Sequence, residues 1–430
     1  MRTVACLCLL IAAAYGVFPP AALAQSPDPV EGKVVREIRV TGLRKLSPDE
    51  VQRHLATRVG EPYRRANFAI DLRRLDELRL FTSVSIAPEL ENDGVVLHVD
   101  ATETLQLLPT VVFKVTDENG VSAGPGVRGI NLLGHGSQVG IAAFFGGETS
   151  VSVSLDRTTI TPGTWSQDLG FSYASRRNAI YDFDERTTSV DTRLARNWTH
   201  GLRVGAVANL LSIDTGSSGA ALSADGNDFI PTLGAFVTVD TLDSSTNPRV
   251  GTWAEVEIDR LVGDADSWSL ILDGRRHQRL SDRHGLGIFS LATFQSGEVG
   301  VDLPDYLQFA LGGANSVRGW GLGERRARNQ FIGSLEYAYI ARPVTAFSVA
   351  GLNLYAGVQV VGFGDLGMVW NDHGDLNASS AIGGYGVGLR LLVPFVDVIR
   401  LDLAWGEPGE GASAYFAISL KAARQRQRVR

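Results

Sequence analysis

The chain is 430 residues long, with a formal charge of −7, 48 glycines and only two cysteines. That length exceeds what one ordinary core requires and calls for several domains or one large barrel. The mild acidity excludes nucleic acid as the main partner.

Residues 1–24 read as a secretory signal. Arg2 precedes the apolar run VACLCLLIAAAYGVF, and Ala22-Leu23-Ala24 offers a small-residue cleavage site. The run falls short of the ~20 residues a spanning helix needs, so a membrane anchor is not expected. Cys6 and Cys8 both lie inside this segment, so the mature chain would hold no disulfide and no thiolate metal site. Neither sits at the cleavage point, which argues against a lipid-anchored start.

Residues 25–32, QSPDPVEG, form a short lead. KVVREIRV then reads as a strand ending at Gly42. Ser47-Pro48-Asp49-Glu50 is a capping box with proline in the first turn, so a helix starts there and runs to about Ala56. Phe68, Leu72, Leu75 and Leu78 recur at helical spacing and define a second helix. FTSVSIAPEL and GVVLHVD are two strands joined through Asn92, Asp93 and Gly94. Pro88 assigns the first of them to a sheet edge, because proline donates nothing to an inner ladder. The order over residues 33–104 is strand, helix, helix, strand, strand. With IRVTG after the first strand and LFTSV entering the second, this unit resembles a POTRA domain, the periplasmic module of the BamA/TamA and two-partner-secretion transporter superfamily.

From residue 105 to 420 the pattern changes to short alternating segments separated by turns. In TWAEVEIDR, Ala254, Val256 and Ile258 share one face and Glu255, Glu257 and Asp259 the other. FIGSLEYAY turns Phe331, Leu335, Tyr337 and Tyr339 outward and Ser334 and Glu336 inward. In YGVGLRLLV and VIRLDLAWG the same split sets Arg390, Arg400 and Asp402 against apolar neighbours. A soluble antiparallel sandwich alternates too. Full charges on the polar face and aromatics near segment ends favour a membrane barrel with a wet lumen. At ~20 residues per strand and connection, the segment holds about sixteen strands.

One glycine-rich stretch, LGGANSVRGWGLGERR, sets Arg318 between Val317 and Gly319, with Trp320 next. This Val-Arg-Gly-aromatic run resembles the signature of the same superfamily's inward-folded sixth extracellular loop. NLLGHG at 131–136, DTLDSSTNPRVG at 240–251 and FGDLGMVW at 363–370 resemble further family motifs, in order. The resemblance implies that Arg318 lies inside the barrel against acidic groups on the twelfth and thirteenth strands. Alternation supplies the acceptors. Glu336 points inward, and if Leu352, Leu354, Ala356 and Val358 face lipid, Phe363 and Asp365 face the lumen.

GVSAG at 120–124 formally fits a nucleophile elbow. Asn119-Gly120 is a hairpin turn and no helix follows, so Ser122 is not expected to be catalytic. The seven histidines show no metal-ligand spacing. Neither enzymatic activity nor a cofactor is expected. Residues 421–430 form a basic tail, a departure from the family, whose members usually stop at an aromatic-ended strand.

The expected protein is thus a signal peptide, one small α+β POTRA-like domain and a transmembrane antiparallel β-barrel of about sixteen strands. Its place would be the outer membrane of a Gram-negative bacterium, with the N-terminal domain in the periplasm. The resemblance implies assembly, insertion or translocation of other proteins, with membrane lipid, unfolded clients and accessory envelope proteins as partners. Clients would pair with the edge strand carrying Val84 and Ile86. They would leave through a lateral seam between the first barrel strand, with Val111 and Phe113, and the last, with Phe416 and Ile418. Two alternatives stay open: a two-partner-secretion exporter of one dedicated passenger, and a passive channel or structural surface antigen. The exporter usually carries two POTRA domains and a plug helix, for which the short lead leaves little room.

Overall fold

A computed structural model describes residues 29–419. Breaks fall at 44–45, 78–79, 104–106, 117–118, 131, 133–136, 162–164, 179, 199–200, 217, 245–246, 350–351, 376–379 and 394–397. The signal segment, the basic tail and most of NLLGHG lie outside the described residues. The chain divides into two compact units, the first built mainly from residues up to Leu105.

The first unit contains β1 (Val35–Thr41), α1 (Pro48–His54), α2 (Arg65–Glu77), β2 (Phe81–Glu91) and β3 (Gly94–Glu103). β3 is central, parallel to β1 and antiparallel to β2. The β2–β3 turn is only two residues long. Asn92 and Asp93 take φ of 47° and 69°, the left-handed pair that matches strand twist, and Glu91 pairs with Gly94.

Val35, Val51, Leu55, Leu75, Val95, Leu97 and Val99 fill the core between helices and sheet. Phe68, which shares the helical spacing of Leu72 and Leu75, is 37% exposed, so α2 packs on a narrower stripe than its sequence suggests. The buried Asp71 of α2 caps the chain after α1, accepting from the Thr57 N–H at 3.3 Å and from the Ala56 N–H and Thr57 hydroxyl.

The two sheet edges differ. The backbone of residues 60–63 covers β1: Val35 N–H donates to Glu61 at 2.9 Å, and Gly60 N–H donates to Val35 at 2.8 Å. Among the described residues, β2 has no backbone partner on its outer side. Pro88 lies in that open edge strand.

The second unit is a sixteen-stranded antiparallel sheet. It begins with β4 (Leu107–Thr116), β5 (Gly120–Ile130), β6 (Gln138–Gly146), β7 (Thr149–Thr161) and β8 (Trp165–Arg177). It continues through β9 (Asp184–Asn197), β10 (Leu202–Asp214), β11 (Asn227–Asp240), β12 (Gly251–Leu261), β13 (Ser267–Arg279) and β14 (His284–Gln295). A long loop follows, carrying the short pair β15 (Phe309–Leu311) and β16 (Arg325–Ala327). The sheet resumes with β17 (Asn329–Val349), β18 (Leu352–Trp370), β19 (Ala381–Leu392), β20 (Val398–Trp405) and β21 (Ser413–Ser419).

Each sheet strand pairs with its neighbours in sequence, β14 pairing directly with β17 across the loop. β4 and β21 end the order. They touch, yet no ladder joins them among the described residues.

The sheet is apolar on its outside. Val256 and Ile258 of β12 are about half exposed, whereas Glu255, Glu257 and Asp259 between them are buried. The buried side holds charge because charge meets charge there. Arg193 bridges Glu255 at 3.0 Å and Glu257 at 2.8 Å, and its guanidinium lies 4.1 Å from the Phe236 ring centroid. Exposed Trp165 and Trp198 lie at one end of the strands, and Tyr385, Trp405 and Trp268 at the other, the two aromatic girdles of a membrane barrel. No described helix is long and apolar enough to cross a membrane.

Candidate functional site

The loop between β14 and β17 is shaped by its glycines. Gly312 and Gly313 take φ of 102° and 82°, and the Gly313 N–H donates to Trp320 O at 2.9 Å, closing a compact tip over residues 313–320. At Gly319, φ is 92°, and an added Cβ would come within 2.5 Å of the Trp405 backbone. On the wall, a Cβ at Gly384 would lie 1.9 Å from the Arg318 carbonyl oxygen. Tip and wall therefore approach backbone to backbone, which only glycine permits at these positions.

This approach delivers Arg318 to full burial; it heads the large side chains with no significant exposure among the described residues. Its Nε and Nη2 donate to the two oxygens of Asp365 at 2.7 and 2.8 Å, a bidentate fork. Nη1 donates to Asp402 at 3.0 Å, and Nη2 also reaches Glu336 at 3.0 Å and Ser334 at 3.4 Å. The Arg318 backbone N–H adds a bond to Asp365 at 3.2 Å. The Phe363 ring covers the guanidinium, with its centroid 3.3 Å from the central carbon.

Burial by itself would pull the Arg318 pKa down. The hydrogen bond to Asp365 and the charges of Glu336, Asp365 and Asp402 raise it above the usual arginine value instead. Two wall arginines complete the balance. Arg390 donates to Asp402, and Arg400 lies 3.4 Å from Asp402 while reaching back to the loop at Ala314 O, 2.6 Å away. Three cations thus face three carboxylates. Beside them Val317 is fully buried among Leu311, Ala327, Ile332, Val369 and Ile382, and Trp320 donates its indole N–H to Gly383 O at 2.8 Å.

Of the residues singled out in the sequence, Val317, Arg318, Gly319, Trp320, Glu336, Phe363 and Asp365 come together in this one cluster. Asp402, Ser334, Arg390 and Arg400 belong to it as well. Alternation turns all four inward, but nothing in the sequence says which inward residues share the depth of the loop tip.

The seam residues lie elsewhere. Val111 and Phe113 on β4 and Phe416 on β21 are more than half exposed, while the Ile418 side chain is outside the described residues. Val84 and Ile86 of β2 turn into the core of the first unit, Ile86 with 8% exposure, so that edge offers its backbone rather than these side chains. Ser122 lies within continuous β5 and accepts from the Glu148 N–H at 2.9 Å, without the strand-to-helix turn an elbow requires. Glu89, Glu91 and His98 gather on the first unit. Glu91 already pairs with Arg39 at 3.3 Å, and Glu89 lies 3.2 Å from His98 Nε2.

A sixteen-stranded antiparallel sheet whose end strands touch, with a fully buried loop arginine and a small α+β unit before it in the chain, defines an outer-membrane transporter-type barrel. The chain belongs to the Omp85 superfamily: the Omp85 superfamily domain matches residues 131–420, and the POTRA model, surface antigen variable number repeat, matches 33–104. That membership places the barrel in the outer membrane of a Gram-negative bacterium and the POTRA unit in the periplasm.

The chain is 24% identical over 423 residues to the outer membrane protein assembly factor BamA of Nitratidesulfovibrio vulgaris. That alignment covers 90% of this chain but 51% of the relative, so the chain spans about half the length of the curated relative it matches. Among solved structures, BamA from Haemophilus ducreyi lacking POTRA domains 1–3 has the same fold, with a TM-score of 0.53 and 15% identity, covering 90% of this chain and 83% of that one. CdiB from Acinetobacter baumannii follows with a TM-score of 0.52 and 13% identity, covering 87% and 70%.

Proposed function

We propose that this protein assembles or inserts other proteins at the outer membrane, passing client strands through the junction of β4 and β21. The observation that carries this reading is the junction itself. Every other neighbouring pair in the sheet shares a ladder, whereas these two strands abut without one among the described residues. An unpaired strand edge is a template for another strand, and a closed barrel normally abolishes such edges. The unpaired edge here would let a client strand hydrogen-bond within the membrane before release into lipid.

The POTRA unit supports delivery to that junction. Its β1 edge is covered and its β2 edge is open, so a client would add beside β2 through backbone bonds. The Arg318 cluster acts as the loop lock, with Asp365, Asp402 and Glu336 as acceptors. It holds the loop tip within the sheet while the junction works. Accessory envelope proteins are proposed as partners of the POTRA unit.

Depleting the protein and surveying the outer-membrane and secreted proteomes tests the reading. Broad loss of outer-membrane barrels supports assembly. Loss of a single secreted protein replaces it with the exporter reading, and an unchanged proteome replaces it with a passive or structural role.

A further inference from the structure

Among the described residues, the loop tip is bonded to one side of the sheet. Arg318 reaches β17 through Glu336, β18 through Asp365 and β20 through Asp402, while Trp320 reaches β19 through Gly383. The remaining strand on that side is the last one, β21, and it too is held. The Gly319 N–H donates to the Tyr415 hydroxyl oxygen at 2.9 Å, and that hydroxyl donates to Trp320 O at 3.3 Å. A backbone–backbone bond, Glu407 N–H to Gly319 O at 2.9 Å, also anchors the tip to the β20–β21 connection.

We propose that Tyr415 is a positioning residue that makes the loop lock also the clasp of the terminal strand. This rests on the lateral-junction reading above and adds where the junction's order comes from. β21 is only seven residues long and is laddered on one side, to β20. A short edge strand in lipid frays unless something else fixes its register. Tyr415 supplies that fixture near the start of the strand, where its hydroxyl is satisfied in both directions by loop backbone.

The consequence is an asymmetric junction. The loop tip holds β17 to β21 as one block that includes the C-terminal side of the junction. Among the described residues, no hydrogen bond or ion pair of the tip reaches β4. Freeing the loop from its lock therefore also frees β21, so the two events are coupled through one phenol.

Hydrogen–deuterium exchange on the purified full chain in detergent micelles, without client, tests this. Tyr415→Phe keeps the ring and removes the hydroxyl. Amides of 413–419 should exchange about tenfold faster, as the loss of two modest hydrogen bonds allows, while 267–279 stays unchanged. Trp320→Phe, which loses only the Gly383 bond, should leave 413–419 near wild type. Unchanged exchange at 413–419 in a folded Tyr415→Phe protein overturns the proposal. Should that variant fail to fold, Arg318→Ala decides: a protease-accessible loop with normal exchange at 413–419 overturns it equally. Client assembly measured in cells is a separate readout. Faster exchange with an undisturbed outer-membrane proteome on depletion would sink the assembly reading and leave the clasp standing.

Discussion

Arg318 and Asp365 meet as a parallel fork, two nitrogens of one planar group on two oxygens of the other at 2.7 and 2.8 Å, with neither side chain exposed. The partners lie 47 residues apart, one on a loop and one on β18. Removing one member of such a buried pair costs about 3–5 kcal/mol, because the survivor is left charged and unsatisfied. Arg318→Ala and Asp365→Ala should each make the loop protease-sensitive and lower assembly activity. The double variant should be little worse than either single, since both remove one contact. Arg318→Lys should fail to rescue, as a point charge cannot reproduce the fork. Additive losses in the cycle would show that the two residues act separately.

The acceptors should rank by burial. Asp402 receives Arg318, Arg390 and Arg400 with no side-chain exposure, whereas Glu336 is 18% exposed and receives Arg318 at 3.0 Å. Asp402→Asn keeps the shape but leaves three cations facing two anions. It should weaken loop protection by about 2 kcal/mol or more, and Glu336→Gln by about 1 kcal/mol. The temperature at which each barrel loses its folded gel mobility, read after graded heating, gives the order directly, and a larger loss from Glu336→Gln would contradict it.

The β2 edge is tested by its backbone. Ile86 is a core residue of the POTRA unit, so proline there would empty a packed site as well as remove a donor. Leu90 has the same strand parity as Pro88 and is 47% exposed. Leu90→Pro should therefore leave the unit folded, by circular dichroism, yet reduce client assembly several-fold if clients add a strand beside β2. Full activity in a folded Leu90→Pro protein would count against delivery along this edge.

Alkaline pH should loosen the extracellular part of the loop. The Tyr306 phenol is pushed well above its ordinary value, first by burial and then by its hydrogen bond to Asp228. A raised folded-state pKa contributes stability that is fully present below the unfolded value of about 10 and is lost as pH climbs beyond it. Protease protection of residues 296–308 should fall above pH ~10 in the wild type. In Tyr306→Phe the same fall should be shallower, and the count of late-ionising tyrosines by ultraviolet titration should drop by one. An identical alkaline transition in both proteins would assign it elsewhere.

Much of this was legible in the chain. Alternation set Glu255, Glu257 and Asp259 inside and Val256 and Ile258 outside, because a half-wet sheet forces a period of two. Pro88 marked its strand as an edge, and Asn92, Asp93 and Gly94 marked the turn after it, both consequences of local backbone chemistry; the pairing of Gly94 with Glu91 showed that the turn itself is two residues. The Val317–Trp320 run, with its glycines, announced a segment built for close approach.

What the sequence could not carry is depth. A side chain's face follows from parity, but its height along the barrel depends on the stagger of every ladder between it and its partner. Asp365 was reachable by parity and a motif. Asp402 and Tyr415, 84 and 97 positions from Arg318, were not, since their meeting with the loop tip depends on the registers of β18 to β21. The same holds for the junction of β4 and β21. Local pattern made both of them strands, and only closure of the sheet decided that they would touch without pairing, because pairing is a property of two registers at once.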